Sequence, residues 1–523
     1  MLAGETRSAA RGDNRRMPDV PTWAAEAVFY QIFPDRFARS GLVEAPGRLE
    51  PWDAPPTRQG FKGGNLPGAE ERLGHLQELG VNAIYLNPIF ASAANHRYHT
   101  YDYMAVDPLL GGTAAFRSFL DEAHRRGIRV VLDGVFNHSG RGFWPFHHVL
   151  ETGADSPYAG WFHLDRARLA SGRALDPYPD DAGLAGREGS GDRSLRTLGY
   201  RAWWDLPALP KINVDDAAAR AYLLRVIETW TRFGIDGWRI DVPEEVAPSF
   251  WAEVRESVAR VNPDAYLVGE IWHVAPEWVG SGPFHGLMNY PLAWAILGFT
   301  GSTSIDAAVA GQQWHARHEL RPLDAAGFAA RLAELDRAYA DVGAVTHLNL
   351  LGSHDTPRMK SLLSGDGAAA RLALMVLLSL PGAPCLYYGD EIGLMGGGDP
   401  DCRRAFSWER EQWDGATFRT IAELTQIRRR HAGLRTGPVQ PLLTKRSTAA
   451  LLLGHGAERI VLVINAGLER EAIEVALPAA SVPAQPQLLV SVGGETSVTA
   501  GPGGQWQLGI PAKSGVLLMP QDA

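Results

Sequence analysis

The strongest constraint on this fold is a unit that repeats along the chain: a stretch with helical spacing, a glycine that ends it, then a short strand apolar at nearly every position. Leu73, Leu76 and Leu79 share a helix face, Gly80 stops it, and Val81 to Leu86 follows as a strand. Phe116, Phe119, Leu120 and Ala123 repeat the face, Gly127 the stop, and Ile128 to Val135 the strand. Tyr222, Leu223, Val226, Ile227 and Trp230 lead through Phe233-Gly234 into Ile235 to Val242. Phe250, Val254 and Val258 precede Tyr266 to Gly269, and Gly286 to Asn289 makes a short sixth strand. Thr346 to Leu351 and Pro384 to Tyr388 each follow a long helical pattern, while Val28 to Phe33 opens the series. Strands apolar on both faces belong in a parallel sheet covered by helices on each side. Eight of them predict an α/β fold closed as a (β/α)8 TIM barrel. An open doubly wound sheet would want a Gly-rich phosphate turn after its first strand, and Phe33-Pro34-Asp35-Arg36 is not one.

Two regions break the alternation. Residues 139–205 hold Gly, Pro, Asp and aromatics without helical period, too long for an ordinary connection, and predict a small subdomain inserted after the third strand. From residue 437 the pattern becomes strands separated by turns, as in Ala449 to Leu453 and Arg459 to Ile464, which predicts an all-β sandwich over 437–523. The barrel then occupies 23–138 and 206–436, behind a loose polar tail over 1–22.

Composition matters mainly for what it excludes. With a formal charge of -9 and 21% charged residues, neither nucleic acid nor a membrane surface is favoured, and a neutral partner is expected. Residues Met1 to Val20 lack the apolar core of a signal peptide and no stretch approaches a membrane span, so the expected location is cytoplasmic. The two cysteines, Cys385 and Cys402, make no disulfide framework. His147, His148 and His163 lack metal-site spacing and read as loop histidines. Arg428-Arg429-Arg430 closes a helix C-terminus and reads as a solvated face. Trp203-Trp204 either lines a cleft or packs the insert.

In a barrel of this kind the active site sits at the C-terminal ends of the strands. There the third strand ends Asp133-Gly134-Val135-Phe136-Asn137-His138, the fourth gives Arg239 and Asp241, the fifth Glu270-Ile271-Trp272-His273, and the seventh Ser353-His354-Asp355-Thr356-Pro357-Arg358. Acids gathered around a neutral substrate suit acetal chemistry. Cleaving a glycosidic bond needs a protonated acid for the leaving oxygen and a carboxylate either to attack the anomeric carbon or to activate water. Arg239, two residues before Asp241 on one strand, points the same way and favours its ionised form, so Asp241 is the better nucleophile. Glu270, flanked by Ile271 and Trp272, is the better acid.

Four motifs, Asp133 to His138 (DGVFNH), Gly237 to Asp241 (GWRID), Glu270 to His273 (EIWH) and Gly352 to Asp355 (GSHD), resemble those of the α-amylase family of glycoside hydrolases, in their usual order, within a resemblance spanning roughly residues 23 to 520. The resemblance implies Asp241 as nucleophile, Glu270 as acid/base and Asp355 as a third carboxylate that grips sugar hydroxyls. It implies Arg239, His138 and His354 as orienting and sugar-binding companions, with Arg358 beside them. The loop Asn95-His96-Arg97-Tyr98 resembles the one that supplies a stacking tyrosine, here Tyr98 with His96.

Within the family the chain is most similar to neopullulanases, cyclomaltodextrinases and maltogenic amylases, through Phe29 to Phe37 (FYQIFPDRF), Pro210 to Asn213 (PKIN) and Val242 to Val246 (VPEEV). By that resemblance Glu245 shapes the subsite beyond the bond and Trp272 is its stacking wall. The subgroup's N-terminal β-domain has no counterpart in the roughly 22 polar residues before the first strand, so the cleft is expected either to take longer glucans or to be narrowed by residues 139–205. Ala38-Arg39-Ser40 departs from the calcium-loop pattern after Asp35-Arg36-Phe37, which speaks against calcium there; no cofactor is required, and calcium is left open because Asn137 either matches another calcium ligand of the family or satisfies a loop. The expected function is a retaining hydrolase of α-1,4 glucosidic bonds in maltooligosaccharides, cyclodextrins or pullulan, with α-1,6 cleavage and transglycosylation left open. The alternative is a glucosyltransferase or isomerase of the same family, and a homodimer is left open. A non-catalytic relative would have lost an acid, and all three are present.

Overall fold

The computed structural model describes residues 20–521 apart from 46, 181–192, 343–344, 479–484 and 502–504. The expected tail over 1–22 lies outside the described residues up to position 19, and a short helix begins at Thr22. Eight strands form one sheet: β1 Phe29–Ile32, β2 Ala83–Leu86, β3 Arg129–Gly134, β4 Gly237–Ile240, β5 Tyr266–Gly269, β6 Gly286–Leu287, β7 Leu348–Leu350 and β8 Ala383–Tyr387. Their order is β6-β5-β4-β3-β2-β1-β8-β7 and every pairing is parallel. The circle closes between its two edges through a parallel bridge from Met288 to Leu348. Gly286 has no room for a side chain against the Thr346 carbonyl, and that close approach lets the short β6 meet β7. This is the TIM barrel expected from the repeating unit.

The apolar runs lie where they must. Every residue of β1, β2, β4, β5 and β8 is buried, because the barrel interior covers one face and the helices the other. The stop glycines Gly80, Gly127 and Gly234 take positive φ of 78°, 72° and 112°, the left-handed turn that ends each helix at little steric cost. The helical stretch that carries Leu73, Leu76 and Leu79 is broken in two, Leu66–Glu71 and Leu73–Glu78, and starts on Asn65, whose side chain accepts from Gly68 N.

The insert is less irregular than its sequence suggests. It contains a helix over Trp144–Thr152 and shorter ones over Arg166–Ala170 and Arg193–Leu198. Its own core of Phe143, Phe146, Phe162 and Tyr200 obscures the helical period, because aromatics there face the insert's interior from loops and helix alike. Isolated bridges His138 to Lys211 and Ala202 to Pro210 sew its two ends to the barrel rim.

The C-terminal strands are β9 Val439–Lys445, β10 Thr448–Leu453, β11 Ile460–Asn465, β12 Glu471–Ala476, β13 Gln485–Val492, β14 Ser497–Ala500, β15 Gln505–Ile510 and β16 Ser514–Gln521. They form a five-stranded sheet, β9-β10-β11-β16-β13, and a three-stranded one, β12-β15-β14. Alternate residues of β10 and β11 divide between two cores. Ala450, Leu452, Val461 and Val463 pack with Trp506 inside the sandwich, while Leu451, Leu453, Leu462 and Ile464 pack against the barrel. Burial on both faces explains why these antiparallel strands are apolar throughout apart from Thr448 at the start of β10 and Asn465 at the end of β11.

Candidate active site

Register brings the acids together. Asp133 pairs with Arg239 and Ile240 with Gly269, so Asp241 and Glu270 are each the first residue past the paired ends of neighbouring strands. Their backbones stay anchored: Asp241 N donates to Gly134 O (3.1 Å) and Glu270 N to Ile240 O (3.0 Å). Arg239, wholly buried, is the hub. Its Nη1 donates to Asp133 Oδ1 and to Asp241 Oδ1, both at 2.8 Å. Its Nη2 lies 2.8 Å from Glu270 Oε2, a third ion pair on the same guanidinium. The expectation that Arg239 and Asp241 point the same way is met, with Asp133 as a third acid on the same guanidinium.

Burial governs the protons. It pushes the Glu270 carboxyl up to about 7, opposed by Arg239 and assisted by the charge of Asp355. It also drives Asp241 well above the ordinary carboxylate range, with Arg239 opposing and Glu270 adding to the rise. Arg239 opposes that rise, and its one guanidinium is shared among the carboxyls of Asp133, Asp241 and Glu270. The cluster therefore retains a proton near neutral pH, and its titration belongs to the group rather than to one residue.

Around the hub a second ring of groups is fixed by hydrogen bonds. Tyr85 and Tyr98 each donate a hydroxyl proton to Asp133 Oδ2, at 2.6 and 2.7 Å. The amides of Gln31 and Asn87 donate to His354 Nδ1 (2.9 and 3.2 Å), so Nε2 carries the ring proton, facing the Tyr98 oxygen at 2.7 Å and Asp355 Oδ2 at 3.1 Å. Burial keeps His354 and His138 neutral, the latter pushed down to about 3. Tyr98 stacks on His354 at 5.3 Å and 4°. His96, half-buried, accepts from Tyr98 N at 3.2 Å and so holds that loop. Asp355 is about one third exposed, and Arg403 grips it: Nη2 donates to Oδ1 (3.2 Å) while Nε donates to His354 O (2.8 Å).

Backbone strain sits beside the acids. Val242 follows Asp241 with φ 38° and ψ 55°, a left-handed conformation that a β-branched residue rarely adopts, and its N donates to Glu270 Oε2 (3.1 Å). Lys211 Nζ lies 2.6 Å from Glu245 Oε2, tying the insert's exit to the turn after β4.

Two expected positions are corrected. Trp272 offers no stacking wall, because Tyr290 covers its ring at 3.6 Å and His315 at 4.5 Å, both near parallel, and two such contacts need opposite faces. Only its edge reaches the site, Nε1 donating to Glu270 Oε1 at 3.3 Å. Arg358 does not reach the cleft: fully buried, it donates to Tyr388 O (2.7 Å) and Asp390 Oδ1 (3.0 Å) and lies over the rings of Tyr387 and Tyr388. Arg403, Gln31, Asn87 and Tyr85 escaped the sequence reading, because each depends on a partner from a distant strand.

The donors near Asp35 do not suit calcium. Its carboxylate accepts from Lys62 N (2.9 Å) and Gly63 N (3.1 Å) and lies 2.9 Å from Arg36 Nε, where a hard cation would need free oxygen ligands. Asn137 Oδ1 is buried without a partner, but Asn137 Nδ2 faces His138 Nδ1, and among the described residues no group of three or more His, Cys, Asp or Glu is set to hold a metal. Among the same residues, no helix is long and apolar enough to cross a membrane.

Comparison with known proteins agrees with this geometry. The family model for the α-amylase catalytic domain matches residues 31–432. A cyclomaltodextrinase of Geobacillus thermopakistaniensis is 36% identical over 462 residues, 88% of this chain and 71% of the relative. Neopullulanase 2 of Thermoactinomyces vulgaris is 39% identical over 422 residues, 80% of this chain and 65% of the relative. The solved structure of the Nostoc punctiforme debranching enzyme in its native form superposes with a TM-score of 0.82 at 42% identity, over 96% of this chain and 99% of that one. A barrel that gathers Asp241, Glu270 and Asp355 at its C-terminal rim, matched by the catalytic-domain model over most of its length, belongs to the α-amylase family of glycoside hydrolases, among the cyclomaltodextrinase- and neopullulanase-like members.

Proposed function

We propose that the enzyme hydrolyses α-1,4 glucosidic bonds of short glucans with retention, through Asp241 as nucleophile and Glu270 as acid/base. The observation that carries this reading is the meeting of Asp241 and Glu270 on one guanidinium: Arg239 donates to Asp241 at 2.8 Å and lies 2.8 Å from Glu270, whose carboxyl burial pushes up to about 7, so a proton is held where a leaving oxygen needs one. Glu270 protonates the glycosidic oxygen as Asp241 attacks the anomeric carbon. The bond to the leaving sugar breaks as the ester to Asp241 forms. Glu270, now ionised, takes a proton from water, whose oxygen displaces Asp241. Asp355, oriented by His354 and Arg403, accepts hydrogen bonds from sugar hydroxyls; an incoming sugar hydroxyl in place of water gives transglycosylation. The donor set around Asp35 supports turnover without calcium.

The likeness to a debranching enzyme favours a second reading, cleavage of α-1,6 bonds. Pullulan separates the two, because α-1,4 cleavage yields panose and α-1,6 cleavage maltotriose. The test is the product set from pullulan and a cyclodextrin, with the anomer of the first product read by NMR, for the enzyme and for Asp241→Asn. The α-anomer with panose, and a rate in the variant lower by about 10^4-fold or more, is expected. A β-anomer, or normal turnover in the variant, would overturn the mechanism; maltotriose from pullulan would select the second reading.

A further inference from the structure

The insert carries an aromatic ladder that leads away from the site. His138 is fully buried just past the end of β3. Trp203 stacks on it at 4.9 Å and 8°, and Trp204 on Trp203 at 5.1 Å and 29°. The ladder thus runs from a wholly buried ring to one that is 59% exposed.

An exposed indole of this kind is costly to keep. Trp204 has φ 52° and ψ 29°, and the next residue, Asp205, has φ 55°, two successive left-handed residues without a glycine. A bulky side chain in that region is a genuine outlier, with a penalty that neighbouring structure must hold in place. The holding is visible: Asp205 is buried and its carboxylate accepts from Ser194 N at 2.8 Å, while Ala202 N donates to Ser194 Oγ at 3.0 Å. Those bonds fix the turn on both sides of the indole. A core-packing role explains neither the exposure nor the strain, since a buried tryptophan would gain more from an ordinary conformation.

We infer that Trp204, presented by Trp203 and His138, is a sugar-stacking platform of an outer subsite that takes a glucose ring of a longer maltooligosaccharide. The inference rests on the glucan reading above and adds to it a preferred chain length. Glucose rings offer an apolar face to an indole while their hydroxyls stay in water, so the exposed end of the ladder suits them. Covering one face of the indole with one glucose corresponds to a roughly tenfold gain in affinity.

The test is calorimetric titration of maltoheptaose and maltotriose into Asp241→Asn, alone and combined with Trp204→Gly or Trp204→Phe. Trp204→Gly removes the ring and relieves the backbone. It is expected to lower maltoheptaose affinity roughly tenfold, to leave maltotriose affinity within about twofold, and not to lower the unfolding temperature. Trp204→Phe should retain most of the affinity. Unchanged maltoheptaose affinity in Trp204→Gly, or an equal loss for both sugars together with a lower unfolding temperature, would overturn the platform while leaving the glucan reading intact. Failure of Asp241→Asn itself to bind either sugar would overturn both.

Discussion

Two guanidinium groups are buried completely at opposite ends of the barrel, and they are held in opposite ways. Arg239, at the C-terminal rim, faces three carboxyls, from Asp133, Asp241 and Glu270. Arg428, on the helix Gly415–Arg430, is held by carbonyls: its Nη1 donates to Leu378 O (3.0 Å), Leu380 O (2.8 Å) and Leu434 O (2.6 Å), and its Nη2 to Gly382 O. Three of those carbonyls, from Leu378, Leu380 and Gly382, end the helix Gly367–Ser379 and lead into β8, where the helix dipole is negative. Burial, with the charge of Arg435 adding to it, lowers the Arg428 pKa to about 9, whereas the carboxyls around Arg239 hold it fully charged. One end of the barrel thus uses an arginine to fasten backbone, and the other uses one to apportion protons among acids.

Breaking both arginines should separate the two roles. Arg239→Met is expected to reduce kcat by about 10^3-fold or more, because the acids lose their common cation. Its stability loss should be larger at pH 8 than at pH 5, since the stranded carboxyls can protonate at the lower pH; equal losses at both pH values would contradict the shared-proton cluster. Arg428→Met should cost about 3 kcal/mol in chemical denaturation by orphaning several buried carbonyls. It should leave the kcat of the folded enzyme within about twofold. That loss should not vary between pH 5 and 8, because the group is charged in both folded and unfolded chains there.

A smaller effect sharpens the same contrast. Glu270 is raised in the folded state, so its protonated form favours folding: the contribution is complete below the ordinary glutamate pKa and is lost as pH rises through about 7. Unfolding free energy should therefore carry a downward slope from about pH 4.5 to 7, at most about 1.4 kcal/mol per pH unit. Glu270→Gln should flatten that slope, and kcat/KM of the unaltered enzyme should fall above about pH 7 as the acid ionises. A slope identical in the variant would remove Glu270 from the assignment. The smallest expected effect is none at all: dialysis against EDTA should leave turnover and unfolding temperature unchanged, and recovery of lost activity by calcium would show a site that the Asp35 donors do not explain.

Much of this was legible beforehand, and what was not has a common cause. The barrel followed from glycine stops and doubly buried strands, and the strand ends named Asp241, Glu270, Asp355 and His354 correctly as neighbours. The reading of Arg428 to Arg430 as a solvated face failed at Arg428, because a charge run signals exposure only if no distant turn folds over it, and the turn over 378–382 does. Trp272 looked like an open wall until His315, a residue with no local signal, covered its second face. Arg358 and Arg403 have equal charge, and only the path of the loop after β8 puts Arg403 on Asp355 and Arg358 beneath it.

By itself the sequence determined the kind of scaffold and the inventory of acids, because hydrophobic period and strand endings are local properties that survive in a single chain. Only the tertiary structure decided which cation serves which anion, which indole is covered and which is offered to solvent. Such partners lie far apart along the chain, as Gln31 and His354 do at a separation of 323 residues. Burial then fixes the proton positions, since removing water makes each neighbour's charge decisive.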